Sequence, residues 1–112
     1  MPNARIVNTP AQAIRHNATT HQQITVSSTA NDLETLGSFT FTSGTTHVLI
    51  QVNDAPVRVT FDSGATTPTA SVGFRYDAGK EAYWPIALAQ SAELIREGAG
   101  DATVELQELN YK

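Results

Sequence analysis

From about His21 onward the chain alternates polar and apolar residues with a period of two, in short runs separated by turn residues. Gln23-Ile24-Thr25-Val26 opens the series. Leu36 through Thr42 sets Phe39 and Phe41 against Ser38, Thr40 and Thr42. His47 through Asn53 sets Val48, Ile50 and Val52 against Leu49, Gln51 and Asn53. Val57, Val59 and Phe61 oppose Arg58 and Thr60. Val72, Phe74 and Tyr76 oppose Ser71, Gly73 and Arg75. In the last run, Ala102 through Leu109, Val104 and Leu106 flank Glu105. Successive side chains of a strand point to opposite faces, so strict alternation predicts strands with one buried face. The Thr, Val and Ile that fill these runs fit a pleated surface. The predicted core is Ile24, Val26, Phe39, Phe41, Val48, Ile50, Val52, Val59, Phe61, Val72, Phe74, Trp84, Ile95, Val104 and Leu106.

Turn chemistry divides the runs. Ser43-Gly44, Asn53-Asp54-Ala55-Pro56, Asp77-Ala78-Gly79-Lys80 and Gly98-Ala99-Gly100-Asp101 are turn sequences, and Asp62-Ser63-Gly64 opens a longer loop through Thr67-Pro68-Thr69. Gly73 inside an apolar run marks a bulge or a close backbone approach. Residues 85–97 read two ways, as a helix through Leu88, Ala92 and Ile95 or as a strand, a turn and a strand. The split into strands at Tyr83–Ile86 and Glu93–Glu97 with a turn near Leu88–Ser91 agrees better with the rest of the chain. The expectation is an all-β, single-domain, jelly-roll-like β-sandwich of about eight strands. Residues 21–112 form its body. Residues 1–20, polar and carrying Pro2 and Pro10, form an extended N-terminal arm that lies on a neighbouring subunit or stays loose.

Composition narrows the function classes. The 112 residues suffice for one domain. Charged residues are 16%, against the usual ~25%. Thr and Ala lead the composition at 15 each, which makes the polar face weakly charged. A net charge of -4 argues against binding that neutralises nucleic-acid phosphates. The absence of cysteine excludes disulfides, thiolate metal sites and a cysteine nucleophile. The longest early apolar run is Ile6-Val7, too short for a secretory signal, and no run reaches membrane-spanning length. The expectation is a chain folded in a cytoplasm, with neither membrane nor nucleic acid as partner.

Candidate chemistry is sparse. His16, His21 and His47 lack the His-x-His pair of a cupin-type metal site, so neither metal nor cofactor is expected. The carboxylates Asp62, Asp77, Glu81, Glu93, Glu97 and Asp101 could do acid-base work if two faced each other in a cleft, but most lie in or beside turns, where Asp serves the backbone. Ser63 lacks a Gly-x-Ser-x-Gly elbow, and Gly98-Ala99-Gly100-Asp101 lacks the Lys and Ser/Thr of a phosphate loop. No enzymatic activity is expected. Tyr83 and Trp84 are adjacent and must face opposite ways, one inward and one outward, as an interface anchor or a sugar-stacking platform. Arg58 and Arg75, outward on adjacent strands, pair with carboxylates or contact a partner. The candidate interface residues are therefore Arg5, Ile6 and Val7 in the arm, with Arg58, Arg75, Tyr83 and Trp84 in the body.

Residues 46–106 also carry a recognisable order. Val48-Leu49-Ile50-Gln51-Val52 leads to Pro56-Val57-Arg58-Val59-Thr60-Phe61-Asp62. Then come Thr67-Pro68-Thr69-Ala70-Ser71-Val72-Gly73-Phe74-Arg75-Tyr76-Asp77-Ala78-Gly79, Leu94-Ile95-Arg96-Glu97-Gly98 and Asp101-Ala102-Thr103-Val104. This order resembles the small structural proteins of tailed bacteriophages. The resemblance implies a virion structural protein, above all a capsid cement or decoration protein. Its partner would be the major capsid protein or another virion protein. It would be a homo-oligomer, a trimer in preference to a dimer. A head-tail adaptor, a tail or baseplate component, and a carbohydrate- or receptor-binding β-sandwich are the alternatives.

Overall fold

A computed structural model describes residues 14–111. In chain order the elements are β1 (Ile14–Val26), β2 (Asn31–Asp32), α1 (Leu33–Gly37), β3 (His47–Val52), β4 (Val57–Thr60), β5 (Phe74–Tyr76), β6 (Glu81–Pro85), α2 (Ile86–Ser91), β7 (Glu93–Arg96) and β8 (Ala102–Tyr111). They make two four-stranded sheets, ordered β1-β8-β3-β6 and β2-β7-β4-β5. Every ladder is antiparallel. The pairs β1–β8, β2–β7, β3–β6 and β4–β5 are those of one long hairpin whose tip is the β4–β5 loop. Rolling that hairpin on itself closes the two sheets through β8–β3 and β7–β4, which is the jelly-roll wrap.

The alternation places the core. Val48, Ile50 and Val52 of β3 face inward with Val104 and Leu106 of β8, Ile24 and Val26 of β1, and Val57 and Val59 of β4, all under 3% exposed. In β7 the inward residue is Leu94, register partner of Val59. Ile95 pairs with Arg58 on the other face and is only half-buried, so the predicted phase of this strand was shifted by one. Leu33, Ala89, Ala92 and Ala102 complete the core.

Three predicted segments differ. Leu36–Thr42 is not a strand. Asp32 caps α1 by accepting from the Thr35 amide at 3.0 Å, and Ser38, left-handed at φ 54°, ends the helix. The Phe41 and Thr42 amides then donate to the carboxylates of Glu34 and Glu108, both at 2.8 Å, in place of a sheet ladder. The extended backbone keeps Phe39 and Phe41 together, edge to face with centroids 5.1 Å apart. Residues 86–91 form the short helix α2 where a turn was expected, with Ala89 as its buried residue. The run 71–76 shortens to β5, because Gly73 at φ 120° leads in with its backbone against β4. A Cβ there would lie 3.0 Å from the Val59 carbonyl oxygen.

The arm boundary also moves. β1 begins at Ile14, and its first residues pair Ile14 with Tyr111 and His16 with Leu109. Backbone pairing needs no apolar alternation, so the polar residues 14–20 gave no strand signal. The register slips between His16 and His21, where β1 carries extra residues against β8. Arg5, Ile6, Val7 and the rest of residues 1–13 lie outside the described residues.

Candidate protein interface

The outward face of the first sheet is organised by register. Rows across β6, β3, β8 and β1 read Tyr83, Leu49, Gln107, His21 and then Glu81, Gln51, Glu105, Gln23. Glu105 is the centre of the second row. Its Oε2 accepts from Gln23 Nε2 at 2.7 Å and Asn53 Nδ2 at 2.8 Å, and its Oε1 lies 2.7 Å from His21 Nε2. Chiefly the Gln23 hydrogen bond, then those of His21 and Asn53, push its pKa down to about 2. Such a carboxylate is a feeble base, and its acceptor capacity is spent on its neighbours. A shallow cleft of about 310 Å³ beside it is lined by His21, Leu49, Gln51, Glu81 and Gln107.

Tyr83 and Trp84 divide as strand geometry requires. Trp84 is 4% exposed between the sheets. Phe61 meets it edge to face at 5.1 Å and Tyr76 at 5.8 Å. It is a core residue, so it presents no surface to a partner. Tyr83 is 44% exposed on the outward face, its ring stacked on His47 at 5.2 Å and 9°.

Arg58 and Arg75 face each other across β4 and β5, outward as expected. Both turn to Glu97. Arg58 Nη2 donates to Oε2 at 3.2 Å and Arg75 Nε to Oε1 at 2.5 Å; Arg75 also pairs with Asp77, and Arg58 Nη1 donates to the Gly73 carbonyl at 3.0 Å. The Arg75 hydrogen bond holds Glu97 below the usual carboxylate range. Of the two sequence readings, cross-strand pairing with carboxylates is the one observed, and Glu97 is its hub.

The feature missed by sequence reasoning is at the open rim beside β5. Val72 and Phe74, expected in the core, are 43% and 67% exposed. The alternation itself holds: Phe74 is on the same side of β5 as Tyr76, which reaches Trp84. But β5 is the last strand of its sheet, and beyond Tyr76 the space between the sheets opens to solvent. Phe74 therefore meets Phe61 with centroids 5.8 Å apart and stays mostly exposed among the described residues. Together with Val59, Thr60, Asp62 and Thr66 these rings line a groove of about 490 Å³. Asp62 stands at its mouth and accepts from the Thr66 amide at 3.0 Å. Hydrogen bonds from the Thr66 side chain and backbone keep its pKa low, so the mouth is anionic.

Among the described residues no group of three His, Cys, Asp or Glu is placed to hold a metal ion. No helix among them is long and apolar enough to cross a membrane. Comparison with protein-family models, curated proteins and solved structures finds no match to this chain.

Proposed function

We propose that this protein is a non-enzymatic structural subunit that works by adhesion between protein surfaces, and that the particle it serves is a phage virion, as a cement or decoration protein on the capsid. The observation that carries the reading is the aromatic rim: Phe74 stands 67% exposed beside a groove at the edge of a sandwich whose interior is filled by Val, Ile, Leu, Ala, Phe and Trp side chains. Contiguous exposed apolar surface at a sheet edge, here Val72 and Phe74 beside the groove, is the kind of surface that protein partners cover. The order of residues 46–106, which resembles small phage structural proteins, supports the virion as the setting. In a capsid, subunits that bury such surface across the joints hold the shell against internal pressure. The partner would be the major capsid protein, with copies of this chain assembled as trimers or dimers.

The test is protein stoichiometry in purified particles. Copies in the hundreds support the cement role. Six or twelve copies move the protein to an adaptor or tail position, and absence from particles overturns the virion reading. A second reading, a carbohydrate- or receptor-binding sandwich, draws on Tyr83, exposed above the row of Glu81, Gln51 and Glu105. It is favoured if glycan binding is found and Tyr83→Ala abolishes it.

A further inference from the structure

Beyond the adhesive rim, and resting on the second reading of the Tyr83 face as a carbohydrate-binding surface, we propose that Gln51, Glu81 and Tyr83 form a binding site for one neutral sugar residue. Gln51 and Glu81 hold two adjacent hydroxyls, and the apolar face of the sugar lies on the Tyr83 ring.

The polar groups of this face sort into those with partners and those without. Glu105 is occupied by Gln23, Asn53 and His21. Gln107 is occupied too: its Oε1 lies 3.3 Å from His21 Nδ1, and its Nε2 donates to the Glu108 carbonyl at 3.1 Å. Gln51 and Glu81 line the same shallow cleft, and among the described residues their side chains make no hydrogen bond or ion pair. They are register partners across β3 and β6, both exposed on the outward face. Directly opposite residues have Cβ atoms about 5 Å apart. A carboxylate only accepts hydrogen bonds, whereas an amide side chain donates and accepts. A hydroxyl does both, so two neighbouring hydroxyls satisfy this pair together.

Tyr83 supplies the apolar half. It is 44% exposed, and its register partner Leu49 is 41% exposed. The Tyr83 ring is stacked on that of His47 at 9°. His47 is the register partner of Pro85, on the side of Tyr83 away from Glu81, so the other face of the ring is turned toward the Gln51–Glu81 pair. Two residues of strand, about 7 Å, separate Tyr83 from Glu81, which leaves room for one pyranose ring. The stack on His47 fixes the platform before the ligand arrives, so binding has less to order. An apolar surface with a few placed polar groups is how small-molecule sites set orientation. Charge then selects the ligand. The residues lining the cleft include the carboxylates Glu81 and Glu105 and neither Lys nor Arg. A phosphate, a sulfate or an acidic sugar is therefore repelled. A Lys or Arg side chain answers Glu81 but leaves the Gln51 N–H donors without an acceptor. A neutral polyol serves both.

The experiment is amide NMR of the full isotope-labelled chain, titrated with D-glucose, D-galactose, D-mannose and N-acetyl-D-glucosamine and with a trisaccharide of each. At least one is expected to bind with a dissociation constant of about 1 mM and to move the amides of residues 49–51 and 81–83. Gln51→Ala and Glu81→Gln are each expected to weaken that binding about tenfold. Tyr83→Ala is expected to abolish it, and Tyr83→Phe, which keeps the ring, to preserve most of it. Gln51→Ala and Glu81→Gln alter only exposed side chains, so they give independent results should Tyr83→Ala disturb β6. Tighter binding of a trisaccharide marks a glycan chain as the source, equal binding marks a free sugar, and both uphold the site. Shifts centred elsewhere, or binding indifferent to both Gln51→Ala and Glu81→Gln, overturn the proposal. So does Nα-acetyl-arginine amide moving the same amides more tightly than every sugar, which makes the face a docking site for a basic protein partner. Sugar binding that is lost in Tyr83→Ala but indifferent to the other two changes leaves the carbohydrate reading standing without this site. No binding of any of these sugars sinks both, and the adhesive rim is untouched by either outcome.

Discussion

The outward face of the first sheet and the open rim of the second both meet solvent, yet they are built on opposite terms. On the face, Glu105 receives hydrogen bonds from Gln23 and Asn53 and contacts His21, so polar groups of β1, β8 and the residue after β3 satisfy one another. At the rim, Phe74 meets Phe61 and is otherwise largely exposed among the described residues. A partner that covers the face must break or match bonds already made, and an unmatched buried polar group costs about 1–3 kcal/mol. A partner that covers the rim removes apolar area from water at about 25 cal/mol per Å² with little to desolvate. Exposure alone therefore does not locate an interface; what matters is whether the exposed group has already spent its interactions.

The strongest test of that contrast pits two aromatic residues ten positions apart. Trp84→Ala, at a site with 4% exposure, is expected to cost about 3–5 kcal/mol in urea unfolding followed by far-UV circular dichroism. Phe74→Ala is expected to stay within about 0.5–1 kcal/mol in the isolated chain, since most of its ring is already in water. Equal losses would mean that Phe74 is a core residue and the rim is closed. Next in size is Glu108, an inward position of β8 with 1% exposure whose carboxylate takes the Thr42 amide and the Thr45 hydroxyl. Glu108→Ala is expected to lose about 1–3 kcal/mol and to speed hydrogen exchange at Thr42. Glu108→Gln, which keeps an acceptor there, is expected to lose less. An alanine variant as stable as the parent would show that the 38–46 segment holds itself.

These positions also mark what the sequence could reveal. Val48, Ile50, Val52, Val104 and Leu106 were legible because both of their strands lie inside a sheet, where period two and burial coincide. Phe74 followed the same periodicity and was misplaced, because alternation gives the side of a strand and not whether the strand is the last of its sheet. Phe39 and Phe41 kept their common face but not their ladder. Side-chain carboxylates at Glu34 and Glu108 took over the amides, and nothing local to residues 36–42 announces a partner as distant in sequence as Glu108. Glu108 itself reads as a surface residue by type; only its place two residues after Leu106 hints that it points inward. Of the proposed interface residues in the body, Trp84 was assignable to the core or the surface only once β6 had a sheet to belong to. The groove joins β4, β5 and the loop after Phe61, and so exists only in the fold.

The finest distinction lies between the two carboxylate hubs. Glu105 is held mainly by neutral amides, Glu97 by two guanidinia. Both have folded-state pKa values below their usual range. The stability each contributes is therefore fully present above the unfolded value and is lost as pH falls toward the folded one. For Glu105 that window runs from 4.5 down to about 2. Glu105→Gln is expected to cost about 1 kcal/mol at pH 7, with the gap to the parent narrowing through that window. A gap independent of pH would mean that the carboxylate charge is irrelevant to the row. Salt separates the hubs further. At 1 M the screening length falls to about 3 Å, which weakens attraction between exposed ions but leaves an amide-to-carboxylate hydrogen bond largely intact. The difference between parent and Glu97→Gln is expected to shrink on adding salt, while the difference between parent and Glu105→Gln holds nearly constant. Should both respond alike, the His21 contact rather than the amides governs Glu105, and the face is an ionic patch of the same kind as the Arg58–Glu97–Arg75 cluster.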